Sequence, residues 1–203
     1  MSLHRTALPL ALAASLAGCL SLGDKAELVV YAPQVAISAD ASWPSLDRTL
    51  AIAEPNASTL LDSNRIAVRP KPATLQVYSG AIWADRAPDL VQSALVASFA
   101  DHDRFRAVLR PTDGLGADLL LRLDLRHFEA VYAEDAKTPT VLVDLQATLV
   151  DQRTHRVIGS RRFRSEQASE REKLPAVVPA FEAALGDVAT AMMPWVLETA
   201  KSD

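Results

Sequence analysis

The chain has 203 residues, 49% of them hydrophobic and 23% charged, with a formal net charge of −4. That length fits a single domain able to bury a sizeable core. The mild acidity argues against a general nucleic-acid binder, and seven glycines form no phosphate-cradling loop.

The first element is a leader. Met1 to Thr6 is short and polar, with His4 and Arg5 supplying positive character. Ala7 to Ser15 is apolar and contains Pro9, and Leu16-Ala17-Gly18 then stands before Cys19, the only cysteine. A charged segment, an apolar segment and small residues at a cut site make a secretory signal. The apolar run from Ala7 to Leu22 is shorter than the roughly 20 residues that a bilayer span needs. Leu16-Ala17-Gly18-Cys19 resembles the bacterial lipobox, in which the cysteine carries a diacylglycerol thioether and becomes the first residue after cleavage. Residues 1–18 are then a lipoprotein signal peptide, 19–26 a lipidated tether and 27–203 the domain. Two or more acyl chains on Cys19 would hold the domain stably on a membrane, whereas one chain binds reversibly. In the lipoprotein family an aspartate after the cysteine favours inner-membrane retention; Leu20 stands there, which implies the outer membrane, with the domain facing the periplasm. The competing reading is a cytosolic chain with an apolar amino-terminal helix and a buried thiol.

Glu27 to Ala32 predicts a first strand, and Pro33 to Arg48 a loop or an extended crossing segment. Leu50 to Ala53 predicts a strand, broken at Pro55-Asn56. Arg65 to Arg69 and Thr74 to Tyr78 predict two strands, joined by a turn or crossover at Pro70-Lys71-Pro72 because proline donates no ladder hydrogen bond. From Asp85 the period changes: Leu90, Val91, Ala94, Leu95, Ser98 and Phe99 share one helical face. Asp85 is the expected cap, and Pro88 is tolerable in a first turn. Arg104 to Leu109 is a short strand, followed by a turn at Pro111 to Gly114. Leu119, Leu121, Leu123 and Leu125 then alternate with polar residues, as do Val141, Val143, Leu145, Ala147 and Leu149. That pattern predicts an antiparallel sheet with one wet face. His155 to Arg164 completes a three-stranded meander. A final helix presents Val177, Val178, Phe181, Leu185, Val188, Met192 and Trp195 on one face, with Pro194 expected to bend or fray its last turn. The expected fold is α/β of the α+β kind: a single domain, with a mixed or antiparallel sheet and two main helices packed on one face.

The chemistry is sparse. There is no Gly-x-Ser-x-Gly elbow. Asp101-His102-Asp103 is the best metal-like cluster, but its place at a helix end makes it a solvated turn. Ser42, Ser79 and His127 could be assembled into a hydrolase only without any supporting spacing. No catalytic residue, metal or cofactor is expected. Three stretches could meet a partner. Tyr78 to Arg86 contains Tyr78, Trp83 and Arg86, residue types favoured as interface anchors; its ordinary reading is a core tryptophan with Arg86 paired to a carboxylate. Arg153, Arg156, Arg161, Arg162 and Arg164 could meet phosphates or an acidic partner, or simply guard a sheet edge. Met192, Met193 and Trp195 could line a lipid groove, or pack the core.

The stretches LDSNRIAVRP, VYSGAIWADRAPDLVQSALVASF, FEAVY and VDLQATLVD, in that order behind a lipobox, resemble the ABC-type transport auxiliary lipoprotein family, the PqiC-like proteins. The resemblance implies a non-enzymatic accessory of a system moving lipids between the two membranes. It also implies an MCE-domain substrate-binding subunit of an ABC transporter as partner, docked at the outer membrane. Ring-shaped partners of that kind would suit several copies. The alternative is a structural envelope lipoprotein serving a different complex.

Overall fold

The computed structural model describes residues 27–37 and 40–201; Cys19 and the expected signal and tether segments lie outside them. In chain order the elements are β1 (Val29–Tyr31), β2 (Leu46–Ile52), β3 (Asn56–Ala57), β4 (Arg65–Lys71), β5 (Thr74–Trp83), α1 (Ala87–Ala100), β6 (Phe105–Leu109), β7 (Leu119–Val131), β8 (Thr140–Asp151), β9 (Arg156–Ala168) and α2 (Leu174–Lys201). They build one mixed sheet with the two helices on a single face, as expected.

Strand β7 organises the sheet. On one side it pairs in parallel with β2 at Leu119–Leu121, with β3 at Asp124–Leu125 and with β4 at Glu129–Val131. On its other side lies β8, antiparallel, and then β9 as the outer strand. β6 extends the sheet beyond β2, while β5 and then β1 extend it beyond β4. The break at Pro55-Asn56 is thus also a two-residue strand that fills the gap between β2 and β4.

The period-two pattern of β7 puts Leu119, Leu121, Leu123 and Leu125 in the core. After Leu125 the register shifts, and Phe128 and Ala130 take over the core positions. One residue inserted at Arg126 flips the parity of the rest of the strand, the behaviour of a β-bulge. Pro70 and Lys71 belong to β4, and the hairpin turn tightens to Pro72-Ala73, with Ala73 at φ 61°.

Helix α1 packs against β6 and β2, and α2 against β8 and β9. Asp85 does not cap α1: Arg86 holds the N-cap position with extended backbone, and no side chain caps the helix. Nor does Pro194 fray α2. The helix runs on to Lys201 because Met192, Met193, Val196 and Leu197, on both sides of the proline, are fully buried and hold the turn by packing. At 28 residues α2 is long and apolar enough to cross a bilayer, but its apolar residues are committed to the sheet. Gly159 on β9 permits that contact, since a Cβ there would lie 2.7 Å from the Thr199 methyl. The segment after β1 crosses the helix layer as an extended strap. The Gln34 amide donates to Glu182 Oε1 at 2.8 Å, and Gly186 leaves room for the Ala36 carbonyl, 3.1 Å from where a Cβ would sit.

Candidate functional site

The segment Tyr78–Arg86 is shaped by Gly80, whose φ of 70° suits glycine. There β5 swings away from β4: Val77 pairs with Ala67, but Ile82 pairs with Arg65. The detour delivers Trp83 to the helix side. It is fully buried, 5.1 Å from the Phe181 ring in an edge-on contact and 5.7 Å from Phe128. Trp83 is a core side chain and offers no face to solvent. Tyr78 is half-buried, and burial, with a smaller contribution from neighbouring Tyr132, pushes its phenol pKa up.

Arg86 is the member of the set that reaches the surface. Its Nε donates to Asp62 Oδ1 at 2.8 Å, one Nη donates to Glu54 Oε1 at 2.8 Å and the other lies 3.3 Å from Asp89. The hydrogen bond to Asp62 leads in holding its guanidinium above the usual arginine range. One cation among three carboxylates leaves this corner acidic. Solvent screens each pair, so the network orients the start of α1 more than it stabilises the fold. Beside it runs a shallow groove of about 340 Å³ between the strap and α1, lined by Pro33, Val35, Asp85, Leu90 and Ala94.

The other candidate residues fall apart as a set. His102 packs edge-on against Trp43 at 6.3 Å, and Asp103 turns the chain at φ 51°. Among the described residues, no group of three or more His, Cys, Asp or Glu could hold a metal ion. His127 Nδ1 sits 2.9 Å from Glu129, the Ser42 amide is tied to Asp40, and neither serine meets the histidine in a hydrogen bond. Met192 and Met193 are buried, and Trp195 stacks edge-on against Phe163 at 5.4 Å, so this end of α2 is packed core. The candidate arginines, Arg153 in the turn and the other four on β9, are all exposed but divide by partner: Arg162 clasps Asp144, Arg164 holds Glu166 and Arg161 lies over the Phe163 ring, whereas Arg153 and Arg156 make no such contact.

Two carboxylates are buried on the face that carries no helix, and one of them, Asp144, stands where the sequence pattern promised a wet face. Glu129 is 1% exposed, accepting from Arg69 Nε at 2.9 Å and Nη2 at 3.2 Å. Asp144 is 0% exposed and accepts from Arg162 Nε at 2.9 Å. Burial opposes the charge on Asp144, but the Arg162 hydrogen bonds prevail and hold its pKa below the usual range. At the β8–β9 turn, Asp151 accepts from the Thr154 amide at 2.8 Å and from Arg48, which also donates to the Ala200 carbonyl at 3.3 Å. Arg48 thereby joins the sheet to the negative end of α2. The Arg69–Glu129 and Arg48–Asp151 pairings join residues 60 and 103 apart in sequence, and Arg162–Asp144 crosses the β8–β9 hairpin, so none of these ion pairs was visible in local spacing.

Comparison with known proteins agrees on one group. The family model described as "ABC-type transport auxiliary lipoprotein component" matches residues 28–193. An uncharacterized protein of Bradyrhizobium diazoefficiens is 30% identical over 175 residues, covering 86% of this chain and 46% of the relative. The chain thus spans about half the length of that curated relative. A crystal structure of a Xanthomonas campestris protein of family DUF330 superimposes with a TM-score of 0.81 at 37% identity, covering 86% of this chain and 98% of that one. A second crystal structure, of an uncharacterized protein, shares the fold with a TM-score of 0.63 at 15% identity, covering 80% and 99%.

Proposed function

The chain belongs to the family of ABC-type transport auxiliary lipoprotein components, which gives it an accessory role in such a transport system, and we propose the form that role takes. The protein is a non-catalytic, lipid-anchored subunit that stands on the outer membrane, faces the periplasm and docks an MCE-domain assembly. The observation that carries this reading is the family match over nearly the whole described domain. The lipobox-like Leu16-Ala17-Gly18-Cys19 supports the anchor, and Leu20 supports the outer membrane as its destination. On the anchored domain, the corner built by Arg86 with Asp62, Glu54 and Asp89 is a polar surface available to a partner.

The test is co-purification. The full-length, tagged protein, extracted from membranes in mild detergent, is expected to bring down an MCE-domain subunit. The same material should carry acyl chains on Cys19 by intact-mass analysis. Recovery of no such subunit overturns the docking role, and an uncut, unacylated chain overturns the anchor.

A further inference from the structure

Five large hydrophobic residues among those described are exposed, and they fall in two places: Leu28, Val29 and Val30 along β1, and Leu115 and Val157 elsewhere. The second pair lies at the end of the sheet where β7 begins and the β8–β9 turn closes. Leu120, Val150 and Val157 are cross-strand neighbours there, on the face that carries no helix. Leu115 is 64% exposed between Gly114 and Gly116, and a Cβ at either glycine would meet nothing within 4 Å. The leucine therefore stands on a loop clear of the domain.

Two basic residues flank this apolar centre. Arg122 occupies the next outward-facing row of β7 and Arg153 sits in the β8–β9 turn, both exposed, whereas Arg156, the cross-strand neighbour of Asp151, belongs to the helix side of the sheet. Among the described residues neither Arg122 nor Arg153 has an ion pair or side-chain hydrogen bond. Of the carboxylates nearby, Asp151 pairs with Arg48 and Asp118 lies 3.5 Å from Arg106, while Asp113 and Asp124 accept from the Arg110 amide and from Asn56. A chain of net charge −4 thus presents arginines without ion pairs beside exposed leucine and valine at one end.

Position decides what this end can meet. Strand β1 runs antiparallel to β7, with Val30 level with Ile82 and Arg65, and Ala67 level with Glu129. The chain therefore enters, at Glu27, beside the far end of β7 near Ala130. From that level down to Leu119 is roughly 36 Å at the usual rise per strand residue. The stretch 19–26 reaches at most about 29 Å. An anchor on Cys19 therefore tethers the opposite end of the sheet and favours an orientation in which this end points away from its own bilayer.

We propose that the Leu115–Arg122–Val157 end is a second docking surface, for an acidic protein partner with an apolar centre, turned away from the anchoring membrane. This rests on the reading of the protein as the docking subunit of an MCE-type transporter. Leucine and valine supply the desolvated centre, and Arg122 and Arg153 supply charge complementarity and steering.

The experiment measures binding of the purified MCE-domain subunit from the same transport system to the full-length protein in detergent. Leu115→Asp, and the pair Arg122→Glu with Arg153→Glu, are compared with wild type and with Arg86→Gln. Both far-end variants should melt at the wild-type temperature and bind on the order of tenfold more weakly, and wild-type binding should fall as salt rises. Wild-type affinity in both variants overturns this surface and leaves the docking role standing. No binding by the wild type overturns both. A parallel measurement offers phosphatidylglycerol vesicles to unlipidated Cys19→Ser protein. Vesicle binding that the same substitutions abolish, with binding of the MCE subunit unchanged, makes the surface a membrane contact and overturns the proposal.

Discussion

On the helix side of β7 and β8, Leu121 faces Leu149, Leu123 faces Ala147 and Leu125 faces Leu145, all buried under α2. On the other side the same strands set Arg122 against Thr148, Asp124 against Gln146, and His127 against Asp144. No helix covers this second side, yet Glu129 and Asp144 are as thoroughly buried as the leucines behind them. The first face is closed by apolar packing from another element. The second is closed by its own arginines, Arg69 and Arg162, whose aliphatic stems and guanidinium groups lie over the acids. Burial of apolar area needs only the right residue class at the right parity. Burial of a charge needs a particular partner in a particular place, and fails if either half is removed.

The helix side is most vulnerable at Trp83. The indole fills the space between Phe128 and Phe181. Trp83→Ala is expected to cost about 3–5 kcal/mol, the usual range for emptying a buried aromatic site. Denaturant unfolding measures it. A loss under about 1 kcal/mol would mean that the core collapses into the gap, against the close packing of these three rings.

The bare side breaks asymmetrically. Arg69→Leu leaves Glu129, 1% exposed, with only His127 for company, and should cost about 3 kcal/mol. Glu129→Leu removes the buried partner, and Arg69, with 26% of its side chain exposed, can turn to water. That change should cost about 1 kcal/mol or stabilise the domain slightly. Equal costs for the two would show that Glu129 is not held by Arg69 as a buried charge.

The same contrast explains what the sequence discloses. The leucine ladder of β7, the valine ladder of β8 and the apolar stripe of α2 are local periodicities, and each predicts a core face that the structure has. The bulge at Arg126 is not legible, because nothing in LDLRHF marks one residue as extra until the pairing with β8 is known. Asp144 reads as solvent-facing for the same reason, and unbroken alternation would put Glu129 among the leucines; their covers, Arg162 and Arg69, arrive from other strands. Trp83 and Arg86 are close together in the motif but point to opposite environments, a division decided by the turn at Gly80. The persistence of α2 through Pro194 is a tertiary effect that propensity alone argues against. Of the candidate site, residue types were readable, but which of them reach the surface was not.

The smallest expected effect tests how far the charged closure depends on ionisation. Asp151 closes the far end of the sheet, where the Thr154 amide, and then Arg48, hold its pKa down to about 2 from an ordinary 3.8. A carboxylate depressed in the folded state contributes stability above its unfolded pKa and loses it as pH falls through the folded one. Its contribution should therefore be complete above about pH 4 and gone by about pH 2. Asp144, also depressed, titrates with the same sign, so acid lability of the wild type alone assigns nothing to either acid. The difference between wild type and Asp151→Asn isolates one of them. Their melting temperatures should differ at neutral pH, and the gap should narrow between about pH 4 and pH 2 as the wild-type carboxylate takes up its proton. A gap that stays constant down to the acid limit would mean that shape and hydrogen-bond count at this corner matter, and that the charge does not.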